Sequence, residues 1–201
     1  FCRPWHLGPA KHCHLVNAMQ PTLYTERLIL RPLTLDDAEA TQQQFPHWEV
    51  VRYLNAVVPW PYPADGARSY LEHVALPAMA RGEEWHWSIR LKSAPEVLIG
   101  NVCLSDTVDD NRGFWLGPQW QGLGLMTEAS AAVTDYWFGV LERPVLRVPK
   151  AAPNLGSRRI SEREGMRLIR TDEGQFVEGT FPRDIWEMTR EEWLELKSPS
   201  R

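Results

Sequence analysis

Only three of the 201 residues are cysteine, and no apolar run approaches the length needed to cross a bilayer. Basic charge is also short: 22 Lys and Arg stand against 26 Asp and Glu, for a net charge of −4. A general nucleic-acid binder carries a basic face, so neither nucleic acid nor membrane is an expected partner. There is no internal repeat and no low-complexity tract. What is present, 43% hydrophobic and 24% charged residues, is the composition of a soluble globular chain, and the length suits one domain with a real core. Ten tryptophans are many. Several belong in the core, while Trp60, Trp85, Trp87 and Trp120 sit beside polar or glycine-rich sequence and are candidates to line a cleft.

The opening "FCRPWHLGPAKHCHLVNA" has no hydrophobic periodicity and neither the apolar centre nor the cleavage site of a signal peptide. Cys2, His6, His12, Cys13 and His14 fit no standard zinc spacing, so no metal is expected. Residues 1–18 are therefore expected to be a leader, and the domain to span 19–201 from Met19. Without Arg3 and Lys11, the net charge becomes −6 and Cys103 is the sole cysteine. That suits a reducing compartment, and the cytoplasm is the expected location.

Periodicity predicts a strand over 23–33, helices over 34–45 and 48–55, and an irregular proline-rich stretch over 57–66. A helix over 67–82 should break or kink near Pro77. Strands follow at 84–92, 97–105 and 114–117, then a strong helix from Gly124 to Leu141 and a short strand at 144–150. A helix over 154–165, capped by Asn154 and stopped by Gly165, precedes two strands and a terminal helical turn. This order predicts an α/β fold of the α+β kind, a mixed sheet with helices on both faces.

The most informative segment is "GFWLGPQWQGLGLMTEASAAVTDYWF" (113–138). Glycine costs entropy wherever the backbone is fixed, so Gly117, Gly122 and Gly124 before a helix indicate close approach to the backbone. A P-loop would need Gly-Lys-Ser/Thr, but Leu125 and Met126 follow Gly124. A dinucleotide fingerprint would need a third glycine where Thr127 stands. What remains is Gln119-Trp120-Gln121-Gly122-Leu123-Gly124, whose following amides, through Leu125 and Met126, would converge at a helix N-terminus suited to an anion such as a diphosphate. A tight turn without ligand is the alternative on these residues alone.

Q-x-x-G-x-G after a short strand resembles the acetyl-CoA pyrophosphate loop of the GNAT N-acetyltransferase superfamily, and "WQGLGLMTEA" resembles its RimJ/RimL-type branch. "TERLILRPLTLDDAEA", "PWPYPADGARSYL", "LIGNVCLSD" and "NLGSRRISEREGM" are similar to that branch in the same order, over roughly residues 22–194. The resemblance implies a GNAT fold with splayed middle strands. It also implies acetyl-CoA as cosubstrate without metal, and transfer to a primary amine by direct attack in a ternary complex. The acceptor would be a protein N-terminus or a small-molecule amine, and the enzyme a monomer or homodimer.

By the same resemblance, Trp115 and Leu116 would pair with the pantetheine arm up to Gly117-Pro118. The diphosphate would sit on the amides from Gln121 to Met126, Asn154 would bond the arm, and Arg158 or Arg159 would reach CoA phosphates. The tyrosine that many members use as acid is replaced by Ser161. Ser157, one turn earlier, is the candidate acid or thiolate hydrogen-bond donor. Asp106 and Asp110 are candidate bases, although both lie in a turn-like "SDTVDDN"; Glu84, His86 and Glu173 are further options. Trp60, Tyr62, Trp85 and His86 are the candidate acceptor pocket, aromatic faces suiting a cationic amine. Rival readings are a non-catalytic acyl-CoA-binding module and a nucleotide-binding protein using the same glycine turn.

Overall fold

Residues 98–105 are buried without alternation, the pattern of a strand covered on both faces. In the computed structural model, which describes residues 20–198, that strand lies in a five-stranded antiparallel sheet. The expected leader, with its cysteines and histidines, lies outside the described residues. The sheet runs β1 (Leu23–Tyr24), β2 (Leu28–Pro32), then, after α1 (Ala38–Gln44), α2 (Trp48–Val51), α3 (Gly66–Tyr70) and α4 (Leu76–Ala80), β3 (Glu84–Leu91), β4 (Ala94–Ser105) and β5 (Arg112–Leu116). After α5 (Leu125–Gly139), a second sheet of order β6-β8-β7 forms from β6 (Val145–Ala151), β7 (Arg167–Phe176) and β8 (Gly179–Thr189), with α6 (Leu155–Arg163) after β6 and α7 (Arg190–Lys197) at the end.

The strand expected over 23–33 is broken at residues 25–27. There Thr25 and Arg27 leave the ladder to bind Glu128 in the first turn of α5, with Arg27 Nε 2.7 Å from Glu128 Oε2. Near Pro77, where a break or kink is expected, the helix changes form without ending. Leu71–Ala75 forms a π-helical turn between α3 and α4. Its wider hydrogen-bond spacing takes up a position where proline has no N–H to give.

Helix α5 covers one face of the first sheet, where Leu30, Trp87 and Val102 join Met126, Val133 and Trp137 in the main core. The Trp87 and Tyr136 rings meet edge to face at 5.2 Å. The opposite face packs against α1 and the α3–α4 helix through Leu33, Ala38, Leu71 and Ala75.

The backbones of the two sheets are joined at one end of the β5–α5–β6 crossover. Asn111 N–H donates to Arg147 O at 2.8 Å, and Arg147 N–H donates to Asn111 Oδ1 at 2.8 Å. Three residues further along each strand, Lys150 Nζ stands 5.1 Å from the Phe114 ring centre. The equal advance shows β5 and β6 running parallel. Neither pairs with the other beyond the junction, and they open as a fork toward Leu116 and Ala151. Arg112, fully buried, locks the closed end by donating to Glu164 Oε1 and Oε2 at 2.9 and 2.6 Å and to Thr134 Oγ1 at 2.5 Å.

Candidate active site

The fork holds a cleft of about 650 Å³. Its walls are the facing edges of β5 and β6, its far end is the glycine loop with the start of α5, and its other rim is the start of α6. Residues from α2 and just after it, Glu49, Arg52 and Tyr53, line the remaining side. The β7–β8 turn holds that side in place, because Val177 N–H donates to Leu54 O and Glu178 N–H to Arg52 O, both at 3.0 Å.

The loop shows why its glycines are there. Gly122 and Gly124 adopt φ of +75° and +76°, a region that side-chain-bearing residues rarely enter. A Cβ on Gly122 would meet nothing within 4 Å, so the conformation and the open space in front of it, not crowding, require glycine. Helix α5 makes its first backbone bond from Glu128 N–H to Gly124 O at 3.2 Å. The amides of Gly122 to Thr127 precede that bond and take no backbone acceptor among the described residues, which leaves a cluster of donors at the positive end of a 15-residue helix. Gln121 differs from this group: its N–H bonds Pro118 O at 3.2 Å, and its side chain donates to Leu116 O at 3.0 Å. The Arg27–Glu128 pair fixes the loop from behind, and Arg27 also donates to Leu123 O at 3.0 Å.

Of the residues singled out from the sequence, Trp115, Leu116, Gln121, Gly122, Gly124, Leu125, Met126, Asn154 and Ser157 come together on this cleft. Asn154 caps α6, its Oδ1 accepting from Ser157 N–H at 3.1 Å. Ser157 Oγ accepts from Lys150 Nζ at 2.8 Å. Lys150 is almost wholly buried. Burial, and then Arg112, lower its pKa to about 7, against the opposing pull of Glu164 and Asp110.

Other candidates lie elsewhere. Gln119 turns to α1, donating to Gln44 Oε1 at 2.8 Å, and Leu123 presents its side chain to solvent. Arg158 faces β8, with Nε 3.7 Å from Asp184 Oδ2; Arg159 and Arg163, on the neighbouring face of α6, line the cleft instead. Asp106 is paired with Arg143 at 2.5 Å on the surface, outside the cleft lining. Asp110 is half-buried at the closed end of the fork, where burial, and then Glu84, push its pKa up to about 7 against Arg183 and Lys150. Glu173 is exposed on β7, and Ser161 is wholly buried on the inner face of α6.

The four aromatic and histidine candidates for an acceptor pocket do not meet. Trp60 stacks against Trp48 at 5.6 Å on the surface. Tyr62 packs edge-on to Phe45 at 4.9 Å, and burial raises its pKa. Trp85 meets Trp137 at 6.5 Å on the α5 face. His86 points to the other face, fully buried, with Nε2 2.7 Å from Glu84 Oε2. Strand alternation explains the split, since Trp85 and His86 must face opposite sides. Glu49, Arg52 and Tyr53, which line the cleft, were missed because "WEVVRYLN" carries only an ordinary helical pattern. Lys150 was missed because a lysine in "PVLRVPKAA" looks like any lysine at a strand end.

This arrangement, with parallel strands splayed beside an open glycine loop at a helix start, is that of a CoA-dependent acyltransferase fold. A family model for the acetyltransferase (GNAT) domain matches residues 27–167, and the chain belongs to that family. It is 31% identical over 122 residues to the uncharacterized N-acetyltransferase p20 of Bacillus licheniformis, a match covering 58% of this chain and 66% of that relative, just under two thirds of its length. Among solved structures, it is similar to ribosomal-protein-S5-alanine acetyltransferase from Vibrio fischeri, with a TM-score of 0.73 and 14% identity over 86% of this chain and 98% of that one. It is also similar to RimL, a ribosomal-protein α-N acetyltransferase in complex with coenzyme A, with a TM-score of 0.69 and 16% identity over 86% and 98% of the two chains. At these identities the two structures establish the fold.

Proposed function

We propose that this protein transfers the acetyl group of acetyl-CoA to a primary amine by direct attack within a ternary complex. The observation that carries this reading is the cluster of amide donors from Gly122 to Thr127 at the open end of a fork whose two facing strand edges pair with no strand among the described residues. A diphosphate fits those amides, and an extended, amide-bearing arm fits the edge from Phe114 to Leu116. Arg159 and Arg163 offer further charge to phosphates.

Direct attack needs a neutral amine, a polarised carbonyl and a proton for the departing sulfur. Ser157, inside the fork, is the hydroxyl positioned to hydrogen-bond that sulfur. Glu49 and Tyr53 stand on the side left for the acceptor, where a carboxylate and an aromatic face would hold an ammonium before it gives up its proton. Similarity to ribosomal-protein acetyltransferases supports a protein N-terminal amine as acceptor, with a small-molecule amine as the other reading.

The test has two stages. Thermal stability is first measured with acetyl-CoA, CoA, ATP and NAD, since a ligand of the folded state raises its stability by mass action. Release of CoA is then followed with a panel of small amines and N-terminal peptides, and intact mass is read for ribosomal proteins. A rise with acetyl-CoA and amine-dependent CoA release support the reading. Binding with no transfer to any amine would leave a CoA-binding module, and preference for ATP or NAD would overturn the assignment.

A further inference from the structure

Serine is a weak acid, and a lone hydroxyl has little capacity to supply a proton to a thiolate near neutral pH. In this fork Ser157 is not alone. Lys150 Nζ donates to Ser157 Oγ at 2.8 Å, and the lysine is only 5% exposed although both residues line the cleft. The pair bridges β6 and the first turn of α6, opposite Phe114 on β5, beside the edge that would bind the reactive end of an acyl-CoA arm.

We propose that Lys150 is the proton-supplying and positioning partner of Ser157, and that the two together hold and protonate the CoA thiolate as it leaves. This rests on the acetyl-CoA reading given above. The amine nitrogen attacks the thioester carbonyl carbon, forming the C–N bond. The tetrahedral intermediate collapses with cleavage of the C–S bond, and the sulfur keeps the electron pair. Sulfur then takes the Ser157 Oγ proton, and Ser157 takes one from the Lys150 ammonium. The proton shed by the attacking nitrogen returns to Lys150, so CoA thiol and acetylated amine form with no net change in the protein.

The surroundings fit a lysine that changes charge during a cycle. Arg112 on β5 disfavours the ammonium, while Asp110 before β5 and Glu164 at the end of α6 favour it. Burial is the largest influence against the charge, with Arg112 adding to it, so the proton is held loosely and released within the neutral range. A thiolate arriving beside Ser157 would draw the proton onto Lys150, and the lysine and thiol then titrate as a coupled pair.

The test needs no acceptor. The full-length protein is mixed with CoA or with desulfo-CoA, and the difference in ultraviolet thiolate absorbance is followed against pH for wild type, Lys150→Met, Lys150→Arg and Ser157→Ala. Thermal shift with CoA is measured in parallel. The bound thiol is expected to ionise about one pH unit lower in wild type than in Lys150→Met, as a cation beside a thiolate requires. Lys150→Arg should keep the lowered value, and Ser157→Ala should weaken it. Where Lys150→Met does not fold, Lys150→Gln takes its place. Binding of CoA with the same thiol ionisation in wild type and the lysine variants would overturn the role of Lys150 and leave the acetyltransferase reading standing. Absence of CoA binding by wild type would overturn both.

Discussion

Two hydrogen-bonded pairs, each with a buried basic group, differ in access: one lies under the first sheet and the other in the fork between the sheets. Glu84 and His86 sit 2.7 Å apart beneath the α3–α4 helix, with the Tyr70 ring 6.4 Å from the imidazole, and neither lines the fork's cleft. Lys150 and Ser157 sit 2.8 Å apart in the fork, at the wall of a 650 Å³ cleft. Burial lowers the pKa of both basic groups, yet of the two only Lys150 lines the cleft. A shifted titration marks a low-dielectric environment, and the opening of the strands decides whether that environment serves chemistry or only folding.

The sharpest way to separate the regions is to damage one and measure the other. Glu164→Ala removes the carboxylate from Arg112 at the closed end of the fork. It should cost about 3–5 kcal/mol of stability, as breaking a buried ion pair does. Denaturant unfolding checks this, and a loss below about 1 kcal/mol would show the junction to be held by its backbone bonds instead.

Gly122→Asp meets no clash, since nothing lies within 4 Å of its Cβ position, but the positive φ should cost about 1 kcal/mol of stability, less for aspartate than for most residues. It sets a carboxylate against the diphosphate, however, and acetyl-CoA binding should weaken on the order of 100-fold by calorimetry. His86→Gln, in the closed region, should cost about 1–3 kcal/mol of stability for the disturbed buried pair and leave acetyl-CoA affinity unchanged. A loss of affinity there would erase the distinction between the two sites.

The pH dependence of stability should split the same way. The folded pKa of Lys150 lies near 7 against 10.5 for the ordinary group. Between those values the unfolded chain binds more protons, so stability rises with pH across that window. Lys150→Met lacks this rise, and wild type should gain on the variant between pH 7 and 10 in thermal scans. His86 is held below its ordinary 6.5, so its contribution is lost as pH falls through that value and is flat above it. His86→Gln should therefore lose less stability than wild type between pH 7 and 5. The smallest effect belongs to the surface: Asp106→Asn breaks an exposed pair with Arg143 and should change stability by under about 1 kcal/mol, without altering acetyl-CoA affinity.

Much of the fork was legible in the sequence because its parts are local. The glycine loop, the cap at Asn154 and Ser157 each follow from a few neighbouring residues whose backbone requirements are strict. The side of the cleft opposite the fork's edges was not legible, because it is assembled from α2 and the β7–β8 turn, more than a hundred residues apart, with Val177 and Glu178 bonded to Leu54 and Arg52. His86 shows the converse. Its setting between Trp85 and Trp87 suggested a cleft, but strand alternation sends it under a helix, and no local pattern indicates which face is covered. Lys150 becomes meaningful only when β6 and α6 are brought together, a tertiary fact. Pro77 signalled a break or kink, and the structure answers it with a π-helical turn just before the proline rather than an end to the helix.

The central claim is that the open amides before α5 receive the diphosphate of acetyl-CoA. Calorimetric titration of acetyl-CoA into wild type and Gly122→Asp tests it most directly, with ATP and NAD as competitors. One-to-one binding by wild type, lost in the variant and untouched by the competitors, is the result expected. No binding by wild type, or equal binding by the folded variant, would contradict it.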